Sequence, residues 1–267
     1  MAYPHGLFSW IDVSTHDPAA SKEFYTELFG WDVDDQFDPE GNYIYTMFTK
    51  DGKNVAGLGK QPAEMIEAGV PPVWSSYVNV DSADETIESW TGAGGTVMMP
   101  AMDVFNSGRM AFVVDPAGGI VGLWQAKDHP GGEVFNEHGA LTWNELNTRD
   151  ADSAREFYGA ALAWEFELNP GEGPPYWVIK LPGKTPGAPL SEDMWNGGIF
   201  TMNENFPPEV PQHWVVYFWV DDADVAVDRL TSLGGSITVP AFDTPVGRMA
   251  VVADPWGGMF SLMAPAS

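Results

Sequence analysis

A chain of 267 residues can form two domains of ordinary size, each burying its own core. Its 12 basic and 38 acidic side chains give a net charge of −26, which repels nucleic-acid phosphates and anionic lipid surfaces. The absence of cysteine excludes a disulfide framework, a thiol nucleophile and thiolate-bound metal.

In chain order, the opening MAYPHGLFSW lacks a basic stretch leading into an apolar one, and no apolar run approaches the ~20 residues that span a bilayer. A cytoplasmic location is expected. A strand is predicted at Ile11 to Ser14, followed by Asp17 as N-cap of the helix AASKEFYTELF, which Gly30 closes. Ala20, Phe24, Leu28 and Phe29 form its apolar stripe. Strands follow at Asn42 to Phe48 and Lys53 to Leu58. A second unit repeats the order: a strand at Ser76 to Val80, a helix capped by Asp81 or Ser82 and ended at Gly94-Gly95, then strands at Thr96 to Met99, Arg109 to Val114 and Gly119 to Trp124.

The whole arrangement then recurs. Trp10, Thr15, Asp17, Phe24, Tyr25 and Trp31 return at one constant spacing as Trp143, Thr148, Asp150, Phe157, Tyr158 and Trp164. VPPVWSSYVNVD, ending at Asp81, matches VPQHWVVYFWVD, ending at Asp221, and GRMAFVVDPAGG matches GRMAVVADPWGG. The expected fold class is therefore α+β: two tandem domains, each a pair of βαβββ modules forming a curved mixed sheet with helices on its outer face. Their expected bounds are 1–128 and 140–267, with the turn-rich 129–139 as linker.

A capping Asp, then Ala or Ser, then Phe-Tyr and a Trp at the helix end, with a DPxGG turn before the last strand, resembles the vicinal oxygen chelate (glyoxalase/bleomycin-resistance/dioxygenase) superfamily. More narrowly, it resembles tandem actinobacterial proteins of glyoxalase-like or hydroxylase type. The resemblance implies a cleft formed by two βαβββ units, four inner positions that commonly hold a divalent metal, and small organic substrates. The corresponding positions here carry Trp10, Ser75 and Gly122 in the first copy and Trp143, Val215 and Ser261 in the second, with the fourth near Gly57 to Gly59 and Gly197-Gly198. Several N or O donors must converge on such a metal, so none is expected in either copy, and no cofactor.

Strand alternation places an aromatic set on the inner faces instead. Trp10, Tyr77 and Trp124 should point inward in the first copy, and Trp143, Tyr217, Trp219, Met259 and Met263 in the second, while Ile11, Val13, Val78 and Val121 face the helices. Core filling accounts for any one of these aromatics; the set suits a planar ligand. Asp12, Ser75 and Asn79 in the first copy and Glu145 in the second are the polar groups expected beside them. Asp12 and Glu145 are candidate proton acceptors, since burial raises a carboxylate's pKa. Alternatively they pair with Arg109 or Arg248, which could equally grip a ligand carboxylate. The five histidines show no metal-binding spacing and read as surface or loop residues.

The leading expectation is a metal-independent protein that binds a planar or aromatic molecule, by sequestration or acid–base chemistry, as a monomer or homodimer. If it is an enzyme, the resemblance implies a lyase, isomerase or oxidoreductase. The alternatives are a glyoxalase, dioxygenase or hydroxylase whose metal uses shifted ligands such as Asp12 or Glu145, and a protein-interaction module using the acidic surface.

Overall fold

The computed structural model describes residues 3–169, 174–182 and 195–266. The first copy contributes β1 (Phe8–Thr15), α1 (Pro18–Phe29), β2 (Asp32–Phe37), β3 (Tyr43–Lys50), β4 (Lys53–Lys60), α2 (Ala63–Glu67), β5 (Val73–Asn79), α3 (Ala83–Gly92), β6 (Thr96–Val104), β7 (Gly108–Val114) and β8 (Ile120–Ala126). The second contributes β9 (Leu141–Thr148), α4 (Ala151–Leu162), β10 (Glu165–Asn169), β11 (Tyr176–Lys180), β12 (Trp195–Thr201), β13 (His213–Trp219), α5 (Ala223–Ser232), β14 (Ser236–Thr244), β15 (Gly247–Ala253) and β16 (Met259–Ala264).

Helix α1 forms as its sequence dictates. Asp17 accepts a hydrogen bond from the Ala20 amide at 3.1 Å, Pro18 opens the first turn, and Gly30 ends the helix at φ +71°. Its buried stripe runs through Ser21, Phe24, Tyr25, Leu28 and Phe29, so Phe24 is buried in the predicted stripe and Tyr25 joins it. Helix α4 repeats the device, with Asp150 accepting from Ser153 at 3.0 Å. Ser82, not Asp81, caps α3.

Each copy supplies one mixed eight-stranded sheet, in the order β2-β3-β4-β1-β5-β8-β7-β6 and its repeat β10-β11-β12-β9-β13-β16-β15-β14. Within them β1 and β4, and β5 and β8, run parallel; the hairpins are antiparallel. Ile11, Val13 and Val78 are fully buried and Val121 nearly so, as expected of the helix-facing positions.

The compact units do not follow the repeat. One gathers Met1–Trp10, Ser76–Gly131 and Trp143–Val215; the other gathers Ile11–Ser75, Gly132–Thr142 and Val216–Ser267. Each unit thus joins one βαβββ module of the first copy to one of the second. In the first unit α3 packs on α4, with Trp90 edge-on to Phe157 at 4.8 Å between ring centroids. In the second, α1 faces α5, and Phe29, Trp74 and Phe260 surround Phe218.

The repeated Phe-Tyr and DPxGG motifs join the copies inside each unit. In the first unit, Asp115 Oδ1 accepts from the amides of Ala117 and Gly119, which shapes its turn, while Oδ2 accepts from Tyr158 at 2.7 Å and from Gln212. In the second, Asp254 Oδ1 accepts from Trp256 and Gly258, and Oδ2 accepts from Tyr25 at 2.9 Å. The indoles of Trp214 and Trp74 donate to the respective tyrosine hydroxyls, each at 2.9 Å. Burial, and then the neighbouring carboxyl, push both phenols well above their ordinary range. Burial likewise pushes the Asp254 carboxyl up, against the hydrogen bonds it accepts.

Candidate functional site

The side of each sheet away from the helices carries the candidate residues. On β1, Asp12 is half-buried and accepts a hydrogen bond from the Tyr45 hydroxyl at 2.9 Å. It lies in register with Gly57 of β4, where an added Cβ would overlap that hydroxyl. The second copy repeats the pattern in the other unit. Half-buried Glu145 lies in register with Gly198, where a Cβ would overlap the hydroxyl of Tyr176. Tyr176 accepts from the Trp143 indole at 2.7 Å. In each case a tyrosine on the neighbouring strand takes the volume that a side chain at the glycine would have filled.

The other inner strands behave similarly. Tyr77 on β5 lies beside Gly122 on β8, whose Cβ would overlap the Tyr77 ring, and Phe112 closes on Tyr77 at 5.4 Å between centroids. Tyr217 pairs in register with buried Ser261, and Trp219 with half-buried Met263. Met259 is 49% exposed at the start of β16. Ser75 is half-buried on the same side of β5 as Tyr77.

The metal frame implied by the family resemblance does not fit these residues. Of Trp10, Ser75 and Gly122, and of Trp143, Val215 and Ser261, only the serine in each set offers an oxygen donor, a neutral hydroxyl. The volume above Gly57, Gly122 and Gly198 belongs to tyrosines. Among the described residues, no three of His, Cys, Asp and Glu gather as a metal site.

Arg109, Arg248 and Asn79 have partners away from the aromatic set. Arg109 shares its strand face with the buried Ala111 and Val113, which puts it on the helix side of β7. There it grips Asp84, in the first turn of α3, through Nε and Nη2 at 3.0 Å each. Arg248 grips Asp224 of α5 in the same way and adds Asp243 at 2.9 Å. Asn79, expected as a ligand contact, ties down the N-terminal segment by donating to the carbonyls of Tyr3 and Pro4 at 2.6 and 3.3 Å.

Three of the histidines lie in loops and make specific contacts there. His5 and His138 are repeat equivalents whose Nδ1 atoms accept from the amides of Asp81 and Asp221 at 3.2 Å. His129, in the expected linker, packs edge-on to Trp10 at 4.5 Å between ring centroids and to Trp124 at 5.7 Å. Tyr45, Tyr176 and His129 are the residues of this region that sequence reasoning missed. For the two tyrosines a signal existed: each lies on a strand facing a glycine-rich one, NVAGLGK and WNGGIFT.

Residues 7–121 match the Glyoxalase/Bleomycin resistance protein/Dioxygenase superfamily, and residues 143–263 match a glyoxalase-like domain. CFP32 of Mycobacterium tuberculosis, which bears a glyoxylase name, is 40% identical over 99% of this chain and 97% of its own. The anthracycline biosynthesis protein DnrV of Streptomyces peucetius is 36% identical over 97% of this chain and 93% of its own. Among solved structures, the Mn(II)-bound glyoxalase of Novosphingobium aromaticivorans superposes with a TM-score of 0.63 at 15% identity, covering 97% of this chain and 82% of that one. The 2,3-dioxygenase LapB of Pseudomonas sp. KL28 gives 0.61 at 13%, covering 98% and 94%. At such identities these two speak to fold alone.

Proposed function

The chain belongs to the glyoxalase/bleomycin resistance protein/dioxygenase superfamily, and we propose that within it this protein binds a planar, apolar or aromatic organic molecule without a divalent metal. Aromatic side chains supply the stacking surface and Asp12 and Glu145 the polar contacts, so bound molecules are sequestered or undergo proton transfer. The observation that carries this reading is the repeated set of tyrosine over glycine beside a carboxylate: Tyr45, Gly57 and Asp12 in one copy, Tyr176, Gly198 and Glu145 in the other. A cleft that has exchanged coordinating groups for rings gains apolar area and retains a hydrogen-bonding carboxyl, which suits a flat ligand bearing one or two oxygens. The likeness to an anthracycline biosynthesis protein favours a polycyclic aromatic ligand.

Two measurements test the proposal. Elemental analysis after expression in metal-supplemented medium and dialysis should find no stoichiometric zinc, nickel, manganese or iron; about one ion per copy would overturn metal independence. Titration with a series of uncharged quinones from naphthoquinone to anthraquinone should quench tryptophan emission and raise the melting temperature. Trp143→Phe should weaken binding by roughly 2- to 13-fold, which corresponds to the ~0.5–1.5 kcal/mol of an aromatic stacking pair. No quenching and no stabilisation by any member of the series would refute ligand binding of this kind.

A further inference from the structure

Trp10 and Trp143 are equivalent in the repeat, yet their surroundings differ. Trp143 is half-buried, with its indole N–H held by Tyr176. Trp10 is 4% exposed and Trp124 6% exposed, with the imidazole of His129 set edge-on to both rings. His129 arrives on the segment that follows β8, and that segment is fastened along its length. The amides of Lys127 and His129 donate to Ser107 O at 3.0 Å, and the amide of Asp128 donates to Asn106 O at 3.1 Å. His129 O accepts from the Trp124 indole at 2.8 Å, and Lys127 Nζ reaches Asp103 at 2.9 Å. Two residues further on, Gly131 holds φ +125° against β1, so close that a Cβ would overlap Ser9 O. Only glycine suits that backbone and that approach.

We infer that His129 is the internal occupant of the stacking position on Trp10, and that Trp143 with Tyr176 is the ligand-facing indole of this unit. The inference rests on the proposed aromatic-ligand reading for its consequence, but the placement of His129 stands apart from it. A ring already seated edge-on at 4.5 Å has the separation of a favourable aromatic pair, so a flat ligand would have to displace it and unfasten the strap to reach Trp10. The first-copy indoles then act as a packed support, and selection among ligands falls to Trp143.

The experiment has a ligand-free arm and a ligand arm. Acrylamide quenching is recorded for the wild-type chain and its Trp10→Phe and Trp143→Phe variants, so that each indole's share is obtained by difference. Trp10 should be protected and Trp143 quenched. His129→Gly should raise the Trp10 quenching slope severalfold, and His129→Leu, which restores bulk at the same place, should keep it low. Trp10 quenched as readily as Trp143 in the wild-type chain, or a Trp10 slope indifferent to His129→Gly, would overturn the inference. In the ligand arm the probe is menadione. Trp143→Phe should weaken its binding severalfold while Trp10→Phe leaves it unchanged; equal losses in both would overturn the inference. Protection of Trp10 by His129 without any menadione or anthraquinone binding would remove the functional reading and leave the internal occupancy standing.

Discussion

Replacing Tyr25 by phenylalanine removes one oxygen atom and disturbs two buried hydrogen bonds at once. The Tyr25 hydroxyl donates to Asp254 Oδ2 and accepts from the indole of Trp74, and Trp74 is only 6% exposed. The variant loses a hydrogen bond to a buried carboxyl and strands an indole N–H in the core. Each effect costs about 1–3 kcal/mol, so the sum is on the order of 2–6 kcal/mol. Tyr158→Phe is the internal comparison and should cost less, roughly 1–3 kcal/mol. Gln212 also donates to Asp115 Oδ2, and Trp214 is only half-buried, so its N–H can turn to water. The repeat equivalent of Gln212 is Pro72, which has no side-chain donor. Urea unfolding supplies the assay, with the midpoint read at unchanged slope. Equal losses in the two variants, or a Tyr25→Phe loss under ~1 kcal/mol, would show that the hydroxyls are not the joints described above.

Spectrophotometric titration should leave Tyr25 and Tyr158 un-ionised well above pH 10 until the chain unfolds, because both are held far above their ordinary value of 10.0. A folded pKa above the unfolded one makes a contribution that is complete below pH 10 and lost above it, so stability should fall on the alkaline side, less so in Tyr25→Phe. The same sign holds for Asp254, whose carboxyl is raised from 3.8. Its contribution is complete below that value and lost as pH rises through the raised pKa, and Asp254→Asn should flatten stability over that interval. Gly131→Ala should destabilise by about 1–3 kcal/mol, read by thermal unfolding, since the backbone is strained for any side chain and Ser9 O stands in the way. Gly122→Ala should shift the Tyr77 ring, visible in a crystal structure or as a near-ultraviolet circular dichroism change.

Much of the architecture was legible because helices and half-buried strands write periodic patterns. Asp17, Gly30 and the alternation of Ile11 and Val13 mark β1 and α1 in the sequence itself. Strand β2, DVDDQF, escaped because nearly all of it is exposed, so no apolar alternation marks it. The candidate site was legible only as a face. Alternation assigned Trp10, Asp12, Tyr77 and Trp143 to the sheet side away from the helices, but it was not applied to Arg109. Its parity with Ala111 and Val113 puts it with the helix, and a nearby Asp84 completes the reason. His129 lay in a turn-rich stretch with no period to reveal what its ring would touch. The repeat also could not say which module packs with which, since likeness between segments carries no information about contact between them.

The crossed assembly of the two units loosens a constraint that symmetry would otherwise impose. In a homodimer of single copies, every residue occurs at both equivalent places, so a polar group introduced into one core enters the other as well. Covalent tandem linkage removes that requirement. In the first unit, Ser76 donates to Asn144 at 2.6 Å, while Asn196 accepts from the Phe8 amide at 2.8 Å and donates to Gly6 O. The equivalents of Ser76 and Asn144 in the second unit are Val216 and Ile11, both buried and apolar. One unit can therefore carry a polar pair at a place where the other carries an apolar one, and each can drift in sequence without its sibling having to tolerate the change.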